Sequence, residues 1–215
     1  MKLRILLADD HQMFIESLRI MLEREPGVEV VGVTGNGLDV FRLAKQLKPD
    51  IVCMDIGMPG MNGIEATRRL IAACPDTKVI GLSALSDQRY VIEMLEAGAS
   101  GYVTKAEACD ELLRAIRSIR QGRKYVCVDV AATLTDALIE KSDKLETTAA
   151  PRLGPRERQV LQLIAEGYTS VQIATNLHIA AATVDVHRRN IMRKLNLHGV
   201  AELTKYAIRN GITCS

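Results

Sequence analysis

Five polar residues in the first half of the chain could do chemistry together. Asp9 and Asp10 follow one apolar run, Asp55 a second, Ser83 a later one and Lys105 the last. If each run is a strand of ordinary length, all five reach the same edge of one sheet. Three acids, a hydroxyl and an amine meeting there can hold a divalent cation and receive a phosphoryl group. Carboxylates a few Å apart repel at about 4 kcal/mol per close pair near a surface. A hard cation, Mg²⁺ or Mn²⁺, relieves that repulsion by taking oxygen ligands while keeping waters and a phosphate oxygen. An Asp55 oxygen off the metal is then placed to attack phosphorus in line. Ser83 and Lys105 can hold the remaining phosphoryl oxygens.

The elements that must position these residues follow from the pattern up to about residue 120. Apolar runs at 3–8, 29–33, 51–54, 78–82 and 101–103 alternate with amphipathic stretches at about 13–25, 37–47, 63–73, 87–97 and 107–120. Five strand–helix alternations predict a parallel sheet covered on both faces. Ligands of such open sheets bind beyond the carboxyl ends of the strands, where the strand order reverses. An order of 2-1-3-4-5 makes the first and third strands neighbours there, so Asp9, Asp10 and Asp55 share one crevice. From 121 to 150 the pattern loosens to one helical piece, about 129–141, and a small-residue stretch ending in Pro151 that reads as a linker. The last 65 residues hold four helical stretches, about 155–166, 170–176, 180–195 and 200–210, and no strand.

Composition narrows the function classes. Residues 1–120 carry 15 Lys and Arg against 17 Asp and Glu, residues 121–150 carry 4 against 5, and residues 151–215 carry 9 against 4. A basic end on a near-neutral body points to an anionic partner for that end. No apolar run approaches the ~18 residues of a membrane helix. The amino-terminal apolar stretch is short and ends in acids, unlike a signal peptide, so a cytoplasmic protein with no membrane partner is expected. Five scattered cysteines without ligand spacing read as reduced packing residues.

Three strings carry a resemblance: Leu7-Ala8-Asp9-Asp10-His11, Met54-Asp55-Ile56-Gly57-Met58-Pro59-Gly60-Met61-Asn62-Gly63 and Gly98-Ala99-Ser100-Gly101-Tyr102-Val103-Thr104-Lys105. Over residues 1–120 the chain resembles the receiver domain of two-component response regulators. The resemblance implies a flavodoxin-like α/β fold with five parallel strands. It implies Asp55 as phosphoacceptor, and Asp9, Asp10, Asp55 and the Gly57 carbonyl as metal ligands. Ser83 would be the switch hydroxyl, Lys105 the phosphate-pairing amine and Tyr102 an aromatic that turns inward. Taken by itself, Tyr102 can also be an amphipathic strand end.

The end of the chain resembles a second module. Pro155-Arg156-Glu157-Arg158, Thr183-Val184 with Val186-His187, and Asn190-Ile191-Met192-Arg193-Lys194-Leu195 are similar to the LuxR-type helix-turn-helix of the NarL/FixJ class. That implies an all-α four-helix domain over 151–215, with 180–195 as recognition helix. Val186, Arg189 and Asn190 would face base edges of double-stranded DNA. Arg188, Arg193 and Lys194 would contact phosphates, which supply salt-sensitive affinity without sequence information. Asp185 stands where the family usually has a Lys, Val171 where it often has a basic residue, and Ala180-Ala181 where a Ser or Thr cap is usual. Asp185 can pair with Arg189 four residues on, worth about 0.2–0.5 kcal/mol, or accept from cytosine N4.

The resemblance implies a transcription regulator phosphorylated by a sensor histidine kinase, forming a homodimer on DNA when phosphorylated, and acting on itself rather than as an enzyme. One alternative is a metal-dependent phosphoester hydrolase, which needs a general acid two residues past the nucleophile; that position is Gly57, with no side chain. The other keeps the receiver but makes the end a protein-interaction module, motivated by Asp185, Val171 and the missing cap. A salt series separates it from DNA binding.

Overall fold

The computed structural model describes residues 2–84, 88–128, 130–131, 153–210 and 212–213. Its first unit runs β1 (Leu3–Ala8), α1 (Gln12–Glu23), β2 (Val28–Thr34), α2 (Gly37–Leu47), β3 (Ile51–Asp55), α3 (Gly63–Ala73), β4 (Lys78–Ser83), α4 (Gln88–Glu96), β5 (Gly101–Thr104) and α5 (Ala108–Arg120). All pairings are parallel, in the expected order β2-β1-β3-β4-β5. One expectation needs correcting. The sheet has six strands rather than five, because Tyr125–Val126 forms β6 on the outer edge of β5. Packing of this unit therefore continues past residue 120, to the fully buried Cys127 and Val130. The helical piece expected over 129–141, apart from residues 130 and 131, and the linker at 142–151 lie outside the described residues.

The continuous apolar runs reflect burial on both faces, and the two-residue period of a strand divides them between two cores. Leu6, Ala8, Val52 and Met54 face one way, against Val40 and Ala44 of α2, Leu70 of α3 and Met94 of α4. Ile5, Leu7, Ile51 and Cys53 face the other way, against Leu18 and Leu22 of α1 and Leu112 and Ile116 of α5. The strands are thus clamped between helical layers, and their carboxyl ends are fixed along one line.

The second unit is all helical among its described residues: α6 (Pro155–Ala165), α7 (Ser170–Leu177), α8 (Ala181–Leu195) and α9 (Val200–Arg209). Pro155 opens α6 where its missing N–H costs nothing, and the Glu157 carboxylate accepts from the Gly154 N–H at 2.8 Å. Gly167, at φ +87°, closes the helix in the left-handed region, and the Tyr168 N–H reaches back to the Leu163 carbonyl. Thr169 and Gln172 cap α7 reciprocally. Ala180 gives α8 no side-chain cap. Val160, Leu163, Ile173, Val184, Ile191, Leu203 and Ala207 form a third core, drawn from all four helices.

Candidate functional site

Asp9 lies one residue past β1, Asp55 ends β3, Ser83 ends β4 and Lys105 follows β5. The sheet brings them together as expected. The Lys105 Nζ stands 2.7 Å from Asp9 Oδ2 and 3.1 Å from Asp55 Oδ1. Asp9 and Asp55 are almost wholly buried, while Asp10 is exposed. Ser83 is also buried. Gly57 lies in the loop between β3 and α3, two residues past Asp55.

Burial pushes the Asp55 carboxyl up to about 6; the neighbouring Asp9 charge adds to the rise, and the Lys105 ammonium opposes it. For Lys105, burial favours the neutral amine, but the Asp55 and Asp9 carboxylates outweigh it and hold the ammonium above its ordinary range. The crevice therefore holds an excess of poorly solvated negative charge, answered among the described residues by the Lys105 ammonium. Donor atoms of Asp9, Asp10, Asp55 and His11 all fall within 4.8 Å of one another. Three carboxylates at that spacing suit a hard, oxygen-seeking divalent ion.

His11 was not singled out by the sequence reading. Its Nδ1 lies 2.8 Å from Asp10 Oδ1 and 3.1 Å from Asp9 Oδ1, and its backbone N–H donates to Asp9 Oδ1 at 2.9 Å. The signal was its place directly after the acid pair, at the start of α1. Phe14, also passed over, sets its ring 5.1 Å from the Lys105 Nζ, a cation–π contact that favours the charged amine.

Tyr102 is fully buried. Its ring packs inside the fold beside Gly81 of the neighbouring strand. The opposing strand makes room for it: a Cβ on Gly81 would lie 3.2 Å from Tyr102 Cδ2 and 2.9 Å from Met94 Cγ.

At the other end of the chain, α8 carries Asp185, Val186, Arg189 and Arg193 in solvent, with Arg188 and Asn190 partly covered. Val186, Arg189, Asn190 and Arg193 line an open groove of about 360 Å³. Lys194 is also exposed, and its Nζ is bonded to Glu157 Oε2 of α6 at 2.7 Å. Burial alone would raise the Glu157 carboxyl, yet Lys194 and the Gly154 N–H hold it below the usual range. The expected pairing of the Asp185 carboxylate with Arg189 gives way to another partner. Asp185 Oδ1 accepts from Ser170 Oγ of α7 at 3.0 Å, and Arg189 Nε approaches only the Asp185 backbone oxygen, at 3.4 Å.

Comparison with known proteins agrees with both halves. Residues 5–117 match the family of the response regulator receiver domain, and residues 151–207 that of bacterial regulatory proteins, luxR family. The chain is 35% identical to the response regulator UvrY of Escherichia coli (strain K12), over 98% of this chain and 95% of UvrY. A two-component response regulator of the LuxR family from Aurantimonas sp. SI85-9A1 is 35% identical with a TM-score of 0.62, covering 65% of this chain and 99% of that one. The response regulator RcsB in complex with DNA is 26% identical with a TM-score of 0.59, covering 96% and 98%.

Proposed function

Because this chain belongs to the response regulators that join a receiver domain to a luxR-family domain, we propose that Asp55 accepts a phosphoryl group from a sensor histidine kinase and that this controls binding of α8 to double-stranded DNA. The observation that carries the reading is the Lys105 ammonium held within 3.1 Å of both Asp9 and Asp55 at the ends of neighbouring strands. An Asp55 oxygen attacks phosphorus while the bond from phosphorus to the donor's histidine nitrogen breaks and its electron pair leaves with that nitrogen. Mg²⁺, held by Asp9, Asp10, Asp55 and the Gly57 carbonyl, would offset charge on the transferring group. Lys105 then pairs with a phosphoryl oxygen, and Ser83 donates a hydrogen bond to another.

The domains read as a receiver over about 1–120, extended by β6 and the residues packed behind it, a connection through 150, and a DNA-binding domain over 151–215. Val186, Arg189 and Asn190 face base edges, and Arg188, Arg193 and Lys194 the phosphates; Lys194 also pairs with Glu157 of α6. RcsB, whose structures include two dimers bound to two parallel DNAs, supports a homodimer on DNA here, which phosphorylation would promote. No helix of the described residues is long and apolar enough to cross a membrane. Phosphotransfer to its own aspartate, without turnover of a foreign substrate, is the only chemistry assigned to the chain.

Labelling by a small acyl phosphate tests the reading. Incorporation should require Mg²⁺, stop in chelator and vanish in Asp55→Asn. Undiminished labelling of that variant would remove Asp55 as the acceptor.

A further inference from the structure

Three polar residues of α6 and its carboxyl cap, Gln159, Gln162 and Glu166, share one face at helical spacing. That face meets the receiver. Gln162, only 1% exposed, donates from Nε2 to the Met58 carbonyl at 3.0 Å and accepts at Oε1 from the Asn62 N–H at 2.9 Å. Both partners belong to the loop that follows Asp55. Glu166 accepts from Gln162 Nε2 at 2.8 Å, which fixes the direction of the carboxamide, and from the Gly60 N–H at 3.4 Å. At the rim, Arg69 of α3 donates to Gln159 Oε1 at 3.0 Å, and Arg158 pairs with Glu93 of α4.

A buried carboxamide that satisfies one carbonyl and one N–H of the same loop is a specific contact, since leaving either group buried and unpaired is costly. The residues that would read DNA lie on a different helix. Asp185, Val186, Arg189 and Arg193 of α8 remain exposed while α6 is engaged. The groove they line stays open. On α9, Val200 and Ile208 are 42% and 41% exposed.

We infer that the loop at residues 58–62, with Arg69 and Glu93, is a docking surface for α6, and that the chain docked in this way binds duplex DNA. The contact sets where the receiver stands relative to the double helix; it does not cover the reading helix. This rests on the DNA-binding role proposed above.

The test locks the contact in the full chain. In a C74S/C109S/C214S background, the E93C/R158C pair is joined by a short thiol-reactive cross-linker, and cross-linked monomer is separated from free monomer. Binding to a mixed-sequence fluorescent duplex two helical turns long is then followed by anisotropy at about 50 mM salt. The locked chain should bind within about threefold of the unlocked chain, and a loss of about tenfold or more would show that docking occludes the DNA face and overturn the inference. The cross-linking yield should fall severalfold in Gln162→Ala and less in Glu166→Gln, which keeps the side-chain size. Absence of the cross-link, or a yield indifferent to both substitutions, also overturns it. If the unlocked chain itself fails to bind, the DNA-binding role falls and this inference falls with it, an outcome distinct from selective loss in the locked form.

Discussion

At the sheet edge, Asp9 and Asp55 are almost wholly buried and Lys105 spans them. On α8, Asp185, Val186 and Arg189 stand in solvent, with one side-chain bond from Asp185 to Ser170 and one backbone approach by Arg189. The first site must hold charges that repel, so its geometry is imposed from several sides by strands, helices and backbone. The second must present side chains to a partner that supplies most of the contacts, so its residues are left with freedom. A buried site built on tension and an exposed one built on readiness should respond differently to substitution.

Backbone crowding around the crevice gives the largest expected difference. A Cβ on Gly63 would lie 1.9 Å from the Asp55 carbonyl oxygen. Gly63→Ala should therefore destabilise the first unit by about 3 kcal/mol, at the upper end of ordinary overpacking. Urea denaturation checks it, and a change within error would mean that the close approach is soft.

Charge gives the next effect. The folded Asp55 carboxyl sits at about 6, above the roughly 3.9 of an unfolded chain. Between those values the folded form holds the extra proton, so stability from this group is greatest below pH 4 and is lost as pH rises through 6. Asp55→Asn removes that loss and should stabilise the metal-free protein at pH 7 by about 2–3 kcal/mol, a figure in which the lost attraction to Lys105 is already included. The gap should close towards pH 4; a variant less stable than wild type at pH 7 would contradict the sign.

The smallest effect belongs to the exposed end. Ala180 provides no cap for α8, so Ala180→Ser should stabilise the second unit by about 1 kcal/mol. Thermal unfolding of the two variants side by side sharpens the contrast. Relief of buried charge at residue 55 should exceed repair of a helix end at residue 180.

Much of the receiver could be read from the chain because its physics is local. Continuous apolar runs define strands buried on both faces, and a polar residue just past each run defines the edge. β6 was missed because Tyr125–Val126 is too short to show a period. The inward Tyr102 was only half legible, since its space depends on Gly81 of the neighbouring strand and on Met94. The helix-turn-helix came from its motif, but the partner of Asp185 did not. Arg189 is close along the helix, whereas Ser170 arrives only when α7 crosses α8. Gln162 reads in sequence as one more polar helix residue, and nothing local says that it will be buried against another unit.

The grip of Gln162 on the loop after Asp55 is addressed to main-chain atoms, a carbonyl and an N–H. Such an anchor is blind to side-chain identity. Met58 and Met61 can drift among apolar residues of similar bulk without erasing it, provided the path of the chain holds. Gly37 helps to hold that path, because its α-carbon comes so close to the Met61 carbonyl that a methyl group there would sit 1.8 Å from the oxygen. The alignment of the two halves is thereby entrusted to the shape of a ribbon rather than to its decoration.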